Sequence, residues 1–587
     1  MSRACYDCSI ANPSACKLPG CLPGSGTKRT VIVANRQFPG PAIEVCKGDT
    51  IRLTIENNLD NEETTSIHFH GFTMMNNVYM DGTPMISQCP ISPRNSFTLQ
   101  TEASDAGSYF WHSHTGLQRT DGLAGPLIVR DSHDPHAHLY DVDNQWIMVQ
   151  DWFDNTTATS LFATHHFAGV DNMPSSNFIV NGYGFGTFPD LATNFKIMPD
   201  MRHRFRMINN ALLECPISVT LEGHNFVIIA SDGQPVKAQA TKQFVIFPAE
   251  RVDFVPYFTG EYISPDGTYK LHLQGLSQCN QSNGLALFQY PNVKIQPVTA
   301  MQATKGDNND TSDEVMSVLK IDNGGLNATM LDNFYNDTSV FERNPDIWMV
   351  IDMDIDPVGD ERMGPNIDIQ GIRPYTSRLN QLSFKFPPAP LNSQMEDIPT
   401  SMYCNVMNRH CEANQHCPCI NMISVPLGAL VEIIFVDNAR TFPGAFHPMH
   451  IHGHRFHVLA SQKLHDNLST DEVITMDNGT ALPRKAESVL IKDTVVVPSG
   501  GYVITRFYAN NPGIWMLHCH NDYHMVTGMA MVINVGTHEE KPKVPKDFPT
   551  CIKYDNEINA SVFNKQSHLV VVAIITVINV VTKCIIE

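Results

Sequence analysis

A short segment near residue 520 concentrates side chains that bind metal ions. His518, Cys519, His520, His524 and Met529 all lie within residues 518–529. A thiolate, two imidazoles and a weak axial thioether form the ligand set of a blue electron-transfer copper. Cys519, His524 and Met529 supply three of these four ligands. The segment therefore predicts such a site, completed by one imidazole from elsewhere in the chain.

The same segment can serve a second metal site because it has the pattern of a strand. Largely apolar residues precede it at 513–517 and follow it at 529–535, which is typical of strands. Successive side chains of a strand point to opposite faces. His518 and His520 therefore face one way while Cys519 faces the other, and the two imidazoles are predicted to bind metal on the face opposite the thiolate.

Three further His-x-His pairs supply the imidazoles that a second site needs. Two imidazoles of a pair on a strand lie on one face, about 7 Å apart. Eight nitrogen donors without a carboxylate suit three metal ions and favour copper over magnesium, calcium or manganese. Structural zinc closes a compact four-ligand site, which these widely spaced donors do not resemble. Together with His518 and His520, the four pairs are completed by His68 and His70, His112 and His114, and His450 and His452, with His447 just before the last of these.

The segments that position these motifs recur at both ends of the chain. An alternating stretch at 48–57 precedes His68, and a similar stretch at 428–438 precedes His450. The first and last thirds are therefore predicted to be copies of one unit, and strand-like runs between residues 199 and 290 form a third copy without paired histidines. Because the imidazoles come from both end copies, we expect the second metal site at their interface.

Period-two patterns broken by Gly, Pro and Asn predict an all-β chain of β-sandwich domains, and 587 residues fit three of them. We predict domain 1 at 1–140, including a cysteine-rich N-terminal segment, and domain 2 at 141–300. A polar linker with glycosylation sequons follows at 301–343. Domain 3 is predicted at 344–555, and a C-terminal tail with an apolar segment at 556–587.

The four histidine motifs resemble those of the multicopper oxidases, most closely the laccases of insects and other arthropods, over residues 46–551. The resemblance implies three cupredoxin-like Greek-key β-sandwich domains and four copper ions: one type 1, one type 2 and two type 3. It implies that type 1 copper is bound by His447, Cys519 and His524 with Met529 axial, and type 2 copper by His68 and His450. The implied type 3 ligands are His70, His112, His114, His452, His518 and His520.

The resemblance also implies two acids that support proton delivery to oxygen. They are Asp81, eleven residues after His70, and Asp522, three residues after Cys519. Fungal laccases carry an Asp that accepts the phenol proton, but Ser176 stands at that position here. Asp171 is the nearest acid upstream. Asp171 and Ser176 are therefore candidate substrate residues, and a solvated loop carboxylate is the alternative for Asp171.

The implied activity is one-electron oxidation of diphenols, catechols or aromatic amines at type 1 copper, coupled to four-electron reduction of O2 to water at a trinuclear cluster. Electrons are expected to pass from the Cys519 sulfur along its own backbone to His518 and His520. Two alternatives remain open. One is a ferroxidase of the same family, which needs acids beside the type 1 histidine, and the other is a non-catalytic copper-binding relative, a class that typically has lost ligands.

Composition constrains the partners. A net charge of -20 repels phosphate-rich molecules, so we expect no nucleic acid partner. We also expect the protein to be a monomer. Fifteen cysteines and eight sequons predict a secreted glycoprotein with disulfide bonds. The chain shows no apolar signal segment at its start. The apolar residues 569–581 resemble either a lipid-anchor signal that attaches the protein to a membrane or a tail without function.

Two predictions concern the pairing of the cysteines. The cluster Cys404, Cys411, Cys417 and Cys419 has irregular spacing, so disulfides are favoured over a zinc site. The family resemblance suggests a bridge between Cys89 and Cys551.

Overall fold

The computed structural model describes most of the chain. Within the described residues, the strands form six β-sheets, which pack as three sandwiches that we name domains 1, 2 and 3 in chain order. The described residues are 21–22, 24–27, 29–154, 156–168, 177–184, 192–198, 200–212, 216–260, 263–291, 326–327, 330–357, 375–405, 418–438, 444–478, 481–551 and 573–579.

Domain 1 consists of two four-stranded sheets. Its strands are β1 (Ile32–Ala34), β2 (Ile43–Cys46), β3 (Thr50–Asn58), β4 (Ile67–His70), β5 (Ser96–Glu102), β6 (Gly107–Ser113), β7 (Ala124–Arg130) and, from the C-terminal tail, β34 (Ala573–Asn579). The sheet orders are β1-β34-β3-β5 and β2-β7-β6-β4. The apolar residues of β3 alternate with polar ones and are buried, because one face of that sheet covers the core, whereas β6 is buried along its whole length.

Domain 2 consists of a seven-stranded and a six-stranded sheet, with orders β10-β9-β8-β12-β17-β14-β15 and β11-β19-β18-β13-β16-β20. Its apolar core is separate and rich in Phe, including Phe205, Phe226 and Phe254. The elements are β8 (Val142–Trp152), α1 (Ala158–Ala168), β9 (Asn177–Val180), β10 (Tyr183–Gly184), β11 (Thr193–Lys196), β12 (His203–Asn209), β13 (Ile217–Leu221), β14 (His224–Ser231), β15 (Gln234–Thr241), β16 (Gln243–Ile246), β17 (Arg251–Phe258), β18 (Thr268–Gly275), β19 (Asn283–Gln289) and β20 (Leu326–Asn327).

Domain 3 has sheet orders β22-β21-β26-β31-β28-β29 and β23-β25-β33-β32-β27-β30, and β24 pairs with β25. Ser469 caps α2 because its side chain accepts a hydrogen bond from the Glu472 amide. The elements are β21 (Ile347–Pro357), β22 (Tyr375–Leu379), β23 (Ser383–Phe384), β24 (Tyr403–Cys404), β25 (Pro418–Val425), β26 (Leu430–Asp437), β27 (His447–Ile451), β28 (Phe456–Lys463), α2 (Thr470–Asp477), β29 (Leu490–Lys492), β30 (Thr494–Val497), β31 (Gly501–Tyr508), β32 (Gly513–Cys519), α3 (Asp522–Val526) and β33 (Ala530–Val535).

Domains 1 and 3 share one continuous apolar cluster. Phe69 and Tyr109 of domain 1 belong to it together with Phe435 and Trp515 of domain 3. Trp515 is fully buried, and burial of about 200 Å² of aromatic surface contributes about 5 kcal/mol before entropy is subtracted. The hydrophobic effect therefore holds together the interface where the paired histidines meet.

The structure confirms the predicted fold class of three all-β sandwiches, while the exact domain bounds remain predictions. It also confirms the disulfides Cys89–Cys551 and Cys404–Cys419. Cys411 and Cys417 lie outside the described residues, as does most of the predicted linker 301–343. Among the described residues, no helix is long and apolar enough to cross a membrane.

Candidate metal centre

Antiparallel pairing brings the His-x-His motifs together. In domain 1, β4 pairs with β6 so that His68 lies opposite His112. In domain 3, β27 pairs with β32 so that His450 lies opposite His518. Opposed residues in such pairs have Cβ atoms about 5 Å apart. Each pairing therefore sets two imidazoles side by side.

The imidazoles of both domains converge in one buried cluster. The ring centroids of His70 and His450 lie 3.8 Å apart, and those of His68 and His452 lie 4.1 Å apart. Each domain supplies four of the eight rings, so the cluster is complete only when domains 1 and 3 are docked. Nitrogens within 4.8 Å of one another form three groups: His68, His70 and His450; His70, His112 and His520; and His114, His452 and His518.

Several ring nitrogens in this cluster have no hydrogen-bond partner among the described residues. An unpartnered buried polar atom costs about 1–3 kcal/mol, a cost that a bound metal ion removes. The opposite nitrogens are held: His68 Nδ1 lies 2.7 Å from the Asp81 carbonyl oxygen, and His112 Nδ1 lies 2.9 Å from that of Ser113. Such bonds orient the ring for metal binding. The unpartnered atoms are His68 Nε2, His70 Nδ1, His112 Nε2, His450 Nε2 and both nitrogens of His114 and His520.

Burial favours the neutral form of seven of the eight imidazoles. Loss of hydration is the largest cause that lowers the pKa of seven of the eight rings, and the positive charge that a neighbouring ring would carry lowers it further. A neutral imidazole at neutral pH keeps a lone pair for a metal ion. The cluster therefore fits a nitrogen-preferring metal such as copper. The seven rings are His70, His112, His114, His450, His452, His518 and His520.

Asp81 lies directly behind the cluster. Its Oδ2 atom is 2.9 Å from His452 Nδ1, and its Oδ1 atom is 3.2 Å from His68 Nδ1. The Thr83 hydroxyl also donates to Oδ2, at 2.7 Å. Burial raises the pKa of the Asp81 carboxyl, but the two histidines outweigh burial and hold this pKa well below its usual range. One ionised carboxylate thus orients a histidine from each domain.

Asp522 lies in the first turn of α3 and is part of a buried ion pair. Arg119 Nε lies 3.1 and 3.2 Å from its two carboxylate oxygens, and the Thr120 hydroxyl donates to it at 2.7 Å. Arg119 Nη2 also donates to the His520 carbonyl oxygen at 3.1 Å. Asp522 therefore connects domain 1 to the segment that carries Cys519 and His520.

A second group of ligands lies on the other face of β32. His447 begins β27, Cys519 ends β32, and His524 lies in α3. Cys519 Sγ is 3.9 Å from His447 Nδ1 and 3.6 Å from His524 Nδ1. Fully buried Met529 lies next to them, because its carbonyl oxygen accepts the Cys519 amide at 3.0 Å. A thiolate flanked by two imidazoles is the trigonal core of a blue copper site.

Comparisons with known proteins agree with this geometry. Residues 19–134, 143–292 and 387–539 each match a family model described as multicopper oxidase. Laccase-4 from Trametes villosa is 30% identical over 524 residues, which cover 87% of each chain. This chain belongs to the multicopper oxidase family. Membership makes it an oxidoreductase and implies copper as its metal.

Other relatives of this multicopper oxidase extend the match. Laccase-2 from Fomitopsis schrenkii is 30% identical over 532 residues and covers 86% of both chains. The fold is similar to that of Fet3p, described as a multicopper oxidase that functions in iron import, with a TM-score of 0.65, 20% identity and coverage of 87% and 88%. It is also similar to that of a laccase from Botrytis aclada, with a TM-score of 0.61, 21% identity and coverage of 89% and 86%.

Two acids that lie near the metal ligands of this multicopper oxidase could not be recognised in its sequence. Asp493 Oδ1 lies 3.1 Å from His70 Nε2. Burial raises the pKa of Asp493, but Arg251 more than offsets burial and holds this pKa at about 2. Asp437 ends β26, and its Oδ1 atom lies 3.9 Å from His447 Nε2. No sequence motif marks either acid.

The predicted metal ligands of this multicopper oxidase lie in the described part of the chain, whereas the candidate substrate residues do not. The structure brings all eleven predicted histidine and cysteine ligands into the groups described above, although their assignment to individual copper ions remains a prediction. The candidate substrate residues Asp171 and Ser176 lie outside the described residues. Within the described part of the chain, Asp437 is an acid that lies beside the thiolate group.

Proposed function

We propose that this multicopper oxidase is a laccase, which takes single electrons from diphenols, catechols or aromatic amines and uses them to reduce O2 to water. The observation that carries the proposal is the placement of Cys519 between His518 and His520. The sulfur belongs to the thiolate group, and the two imidazoles belong to two groups of the histidine cluster. A continuous covalent backbone thus connects a site for electron donors with a site for oxygen. The laccases among its relatives support this choice.

We further propose that the protein holds four copper ions, which supply the one-electron redox chemistry when they are bound. His447, Cys519, His524 and Met529 would hold the type 1 ion, and His68 and His450 would hold the type 2 ion. The type 3 pair is assigned to His70, His112, His114, His452, His518 and His520. The chain itself contributes a dry site, since all of these side chains except His524, which is half-buried, are buried.

Two carboxylates are proposed to serve proton transfer. Asp81 is ionised, accepts a hydrogen bond from His452 and lies 3.2 Å from His68, so it places a negative charge where protons must reach the cluster. Asp522, in the segment that carries Cys519 and His520, is proposed to have the same role. Its pairing with Arg119 fixes its position.

A ferroxidase is the second candidate, and Asp437 is the observation that favours it. Iron oxidation requires acids beside the histidine through which electrons enter, because carboxylates are good ligands for a hard cation. The Asp437 carboxylate lies 3.9 Å from His447 Nε2. This residue gives iron one oxygen ligand near the electron entry point.

Oxygen uptake by the copper-loaded protein separates the two candidates. The laccase proposal predicts rapid uptake with catechol and slower uptake with ferrous iron. An Asp437→Asn variant should reduce only the iron reaction, because catechol does not need a carboxylate ligand. Iron turnover far above catechol turnover contradicts the laccase proposal.

We further propose that the protein is secreted. Two disulfides in the described residues support an oxidising environment. Glycosylation of the sequons and a monomeric state belong to the same proposal. Membrane attachment through the apolar tail is not part of it, because residues 573–579 of that tail form β34, which pairs with β1 and β3 of domain 1. The closer relation to arthropod laccases is also proposed, on the spacing of the four motifs.

A further inference from the structure

Arg251 of domain 2 reaches the boundary where all three domains meet. It begins β17, and its side chain is fully buried. Its Nε atom donates to the Ser108 carbonyl oxygen of domain 1 at 3.1 Å. Its Nη1 atom donates to Asp493 Oδ1 of domain 3 at 2.8 Å, and Nη2 donates to Asp493 Oδ2. A single guanidinium thus contacts all three domains and donates two hydrogen bonds to one carboxylate.

Asp493 in turn contacts two candidate copper ligands. Its Oδ1 atom lies 3.1 Å from His70 Nε2, and its carbonyl oxygen lies 2.9 Å from His450 Nδ1. The opposite nitrogens, His70 Nδ1 and His450 Nε2, have no hydrogen-bond partner among the described residues. His70 and His450 share one ligand group with His68. A histidine that donates one N–H to a carboxylate or carbonyl has its other nitrogen oriented for a metal.

Buried neighbours pack closely around the Arg251–Asp493 ion pair. Lys492, next to Asp493, is buried, and its Nζ atom lies 2.9 Å from Asp232 and 3.0 Å from Glu250 of domain 2. Gly71 follows His70, and a Cβ atom at Gly71 would lie 2.7 Å from both Arg251 Nη2 and Asp493 Oδ2. The ion pair therefore packs against the backbone of a ligand-bearing strand.

We propose that domain 2 positions the copper cluster through Arg251. The guanidinium holds Asp493 where its carboxylate orients His70 and its carbonyl orients His450. Arg251 is a positioning residue, and its role rests on the proposed function only in that the histidine cluster binds copper. The thiolate group lies on the opposite face of β32, so it should not depend on Arg251.

An Arg251→Met variant tests this role through copper binding rather than activity. Loss of a group that orients metal ligands lowers metal affinity about 10- to 100-fold. We expect copper titration to show this loss for the cluster only. The variant should keep the blue absorption of thiolate-bound copper, lose the paramagnetic signal of type 2 copper, and hold fewer copper ions per chain than the wild type.

Two further variants separate positioning from stability. Arg204→Met is the matched control, because Arg204 is also buried in domain 2, lies 2.6 Å from Asp253 and pairs with Asp134 of domain 1. It should bind copper as the wild type does. Arg251→Lys keeps a cation but not the planar two-pronged donor, so it should recover only part of the affinity.

The outcomes are decisive in each case. A wild-type chain that binds no copper refutes the proposed function itself. If the wild type binds copper, unchanged affinity and an unchanged type 2 signal in Arg251→Met overturn the positioning role. An equal loss in Arg204→Met also overturns it. If Arg251→Met fails to fold, Arg251→Lys decides: selective weakening of the cluster supports the role, and wild-type loading overturns it.

Discussion

Replacing Lys492 by Met removes a positive charge from the buried boundary between domains 2 and 3. Lys492 Nζ lies 2.9 Å from Asp232 and 3.0 Å from Glu250, and the three side chains are at most 1% exposed. Met has a similar length, so the volume stays filled while the charge is lost. Breaking a buried ion pair costs about 3–5 kcal/mol. Because Arg251 still lies 3.4 Å from Asp232, Glu250 is the carboxylate left without a cation.

The destabilisation should depend on pH, with a sign set by Glu250. Burial raises its pKa above 4.5, Lys492 opposes that rise, and the charge of Asp232 adds to it. Without Lys492 the folded-state pKa rises further, and each unit corresponds to about 1.4 kcal/mol. A carboxyl whose pKa is raised by folding destabilises the fold only once pH exceeds its unfolded pKa. The stability difference from the wild type should therefore be largest near pH 7 and shrink as pH falls towards 4.

Urea unfolding followed by tryptophan fluorescence at pH 5 and pH 7 measures this difference in the copper-free protein. Lys485→Met is the matched control, because Lys485 pairs with Asp332 while 26% of its side chain is exposed. That variant should lose less than about 1 kcal/mol at either pH. A loss below about 1 kcal/mol for Lys492→Met at pH 7, or an equal loss at both pH values, refutes the reasoning.

Three further predictions concern the site. Cys519→Ser should abolish the blue absorption and catechol oxidation while leaving the unfolding transition of the copper-free protein unchanged, and retained catechol oxidation would contradict the proposed electron path. Asp81→Asn should slow oxygen uptake at least about 100-fold, because an amide carries no negative charge to accept protons, and measured copper content must stay unchanged for this test. Gly71→Ala should destabilise the protein by more than Gly48→Ala in urea titrations. Both glycines have φ near +89°, but only the Cβ atom at Gly71 would meet buried charged groups at 2.7 Å. Equal losses would show that backbone strain alone matters there.

The histidine pairs could be predicted from the sequence because strand geometry is local. The alternation of side chains along a strand requires His518 and His520 to share a face opposite Cys519, and the structure has this arrangement. The repeated segments likewise predicted that two end domains share one site. Neither inference depends on how distant parts of the chain dock.

The contributions of Arg251, Asp493 and Asp437 could not be predicted because they depend on docking. Arg251 and Asp493 are 242 residues apart, and each stands in a strand-like stretch where a charge normally faces solvent. Only the packing of domain 2 against the other domains turns them into a buried ion pair. Asp437 precedes His447 by ten residues, and no spacing rule connects the two.

The end of β32 and the residue after it carry the sulfur and both neighbouring imidazoles, so the separation between electron entry and oxygen reduction is set by the covalent bonds of domain 3 alone. Loops that border His447 can change in length and sequence without altering that separation. Natural selection can therefore exchange one electron donor for another by varying surface loops. The same independence makes donor preference an engineering target that leaves the oxygen chemistry intact.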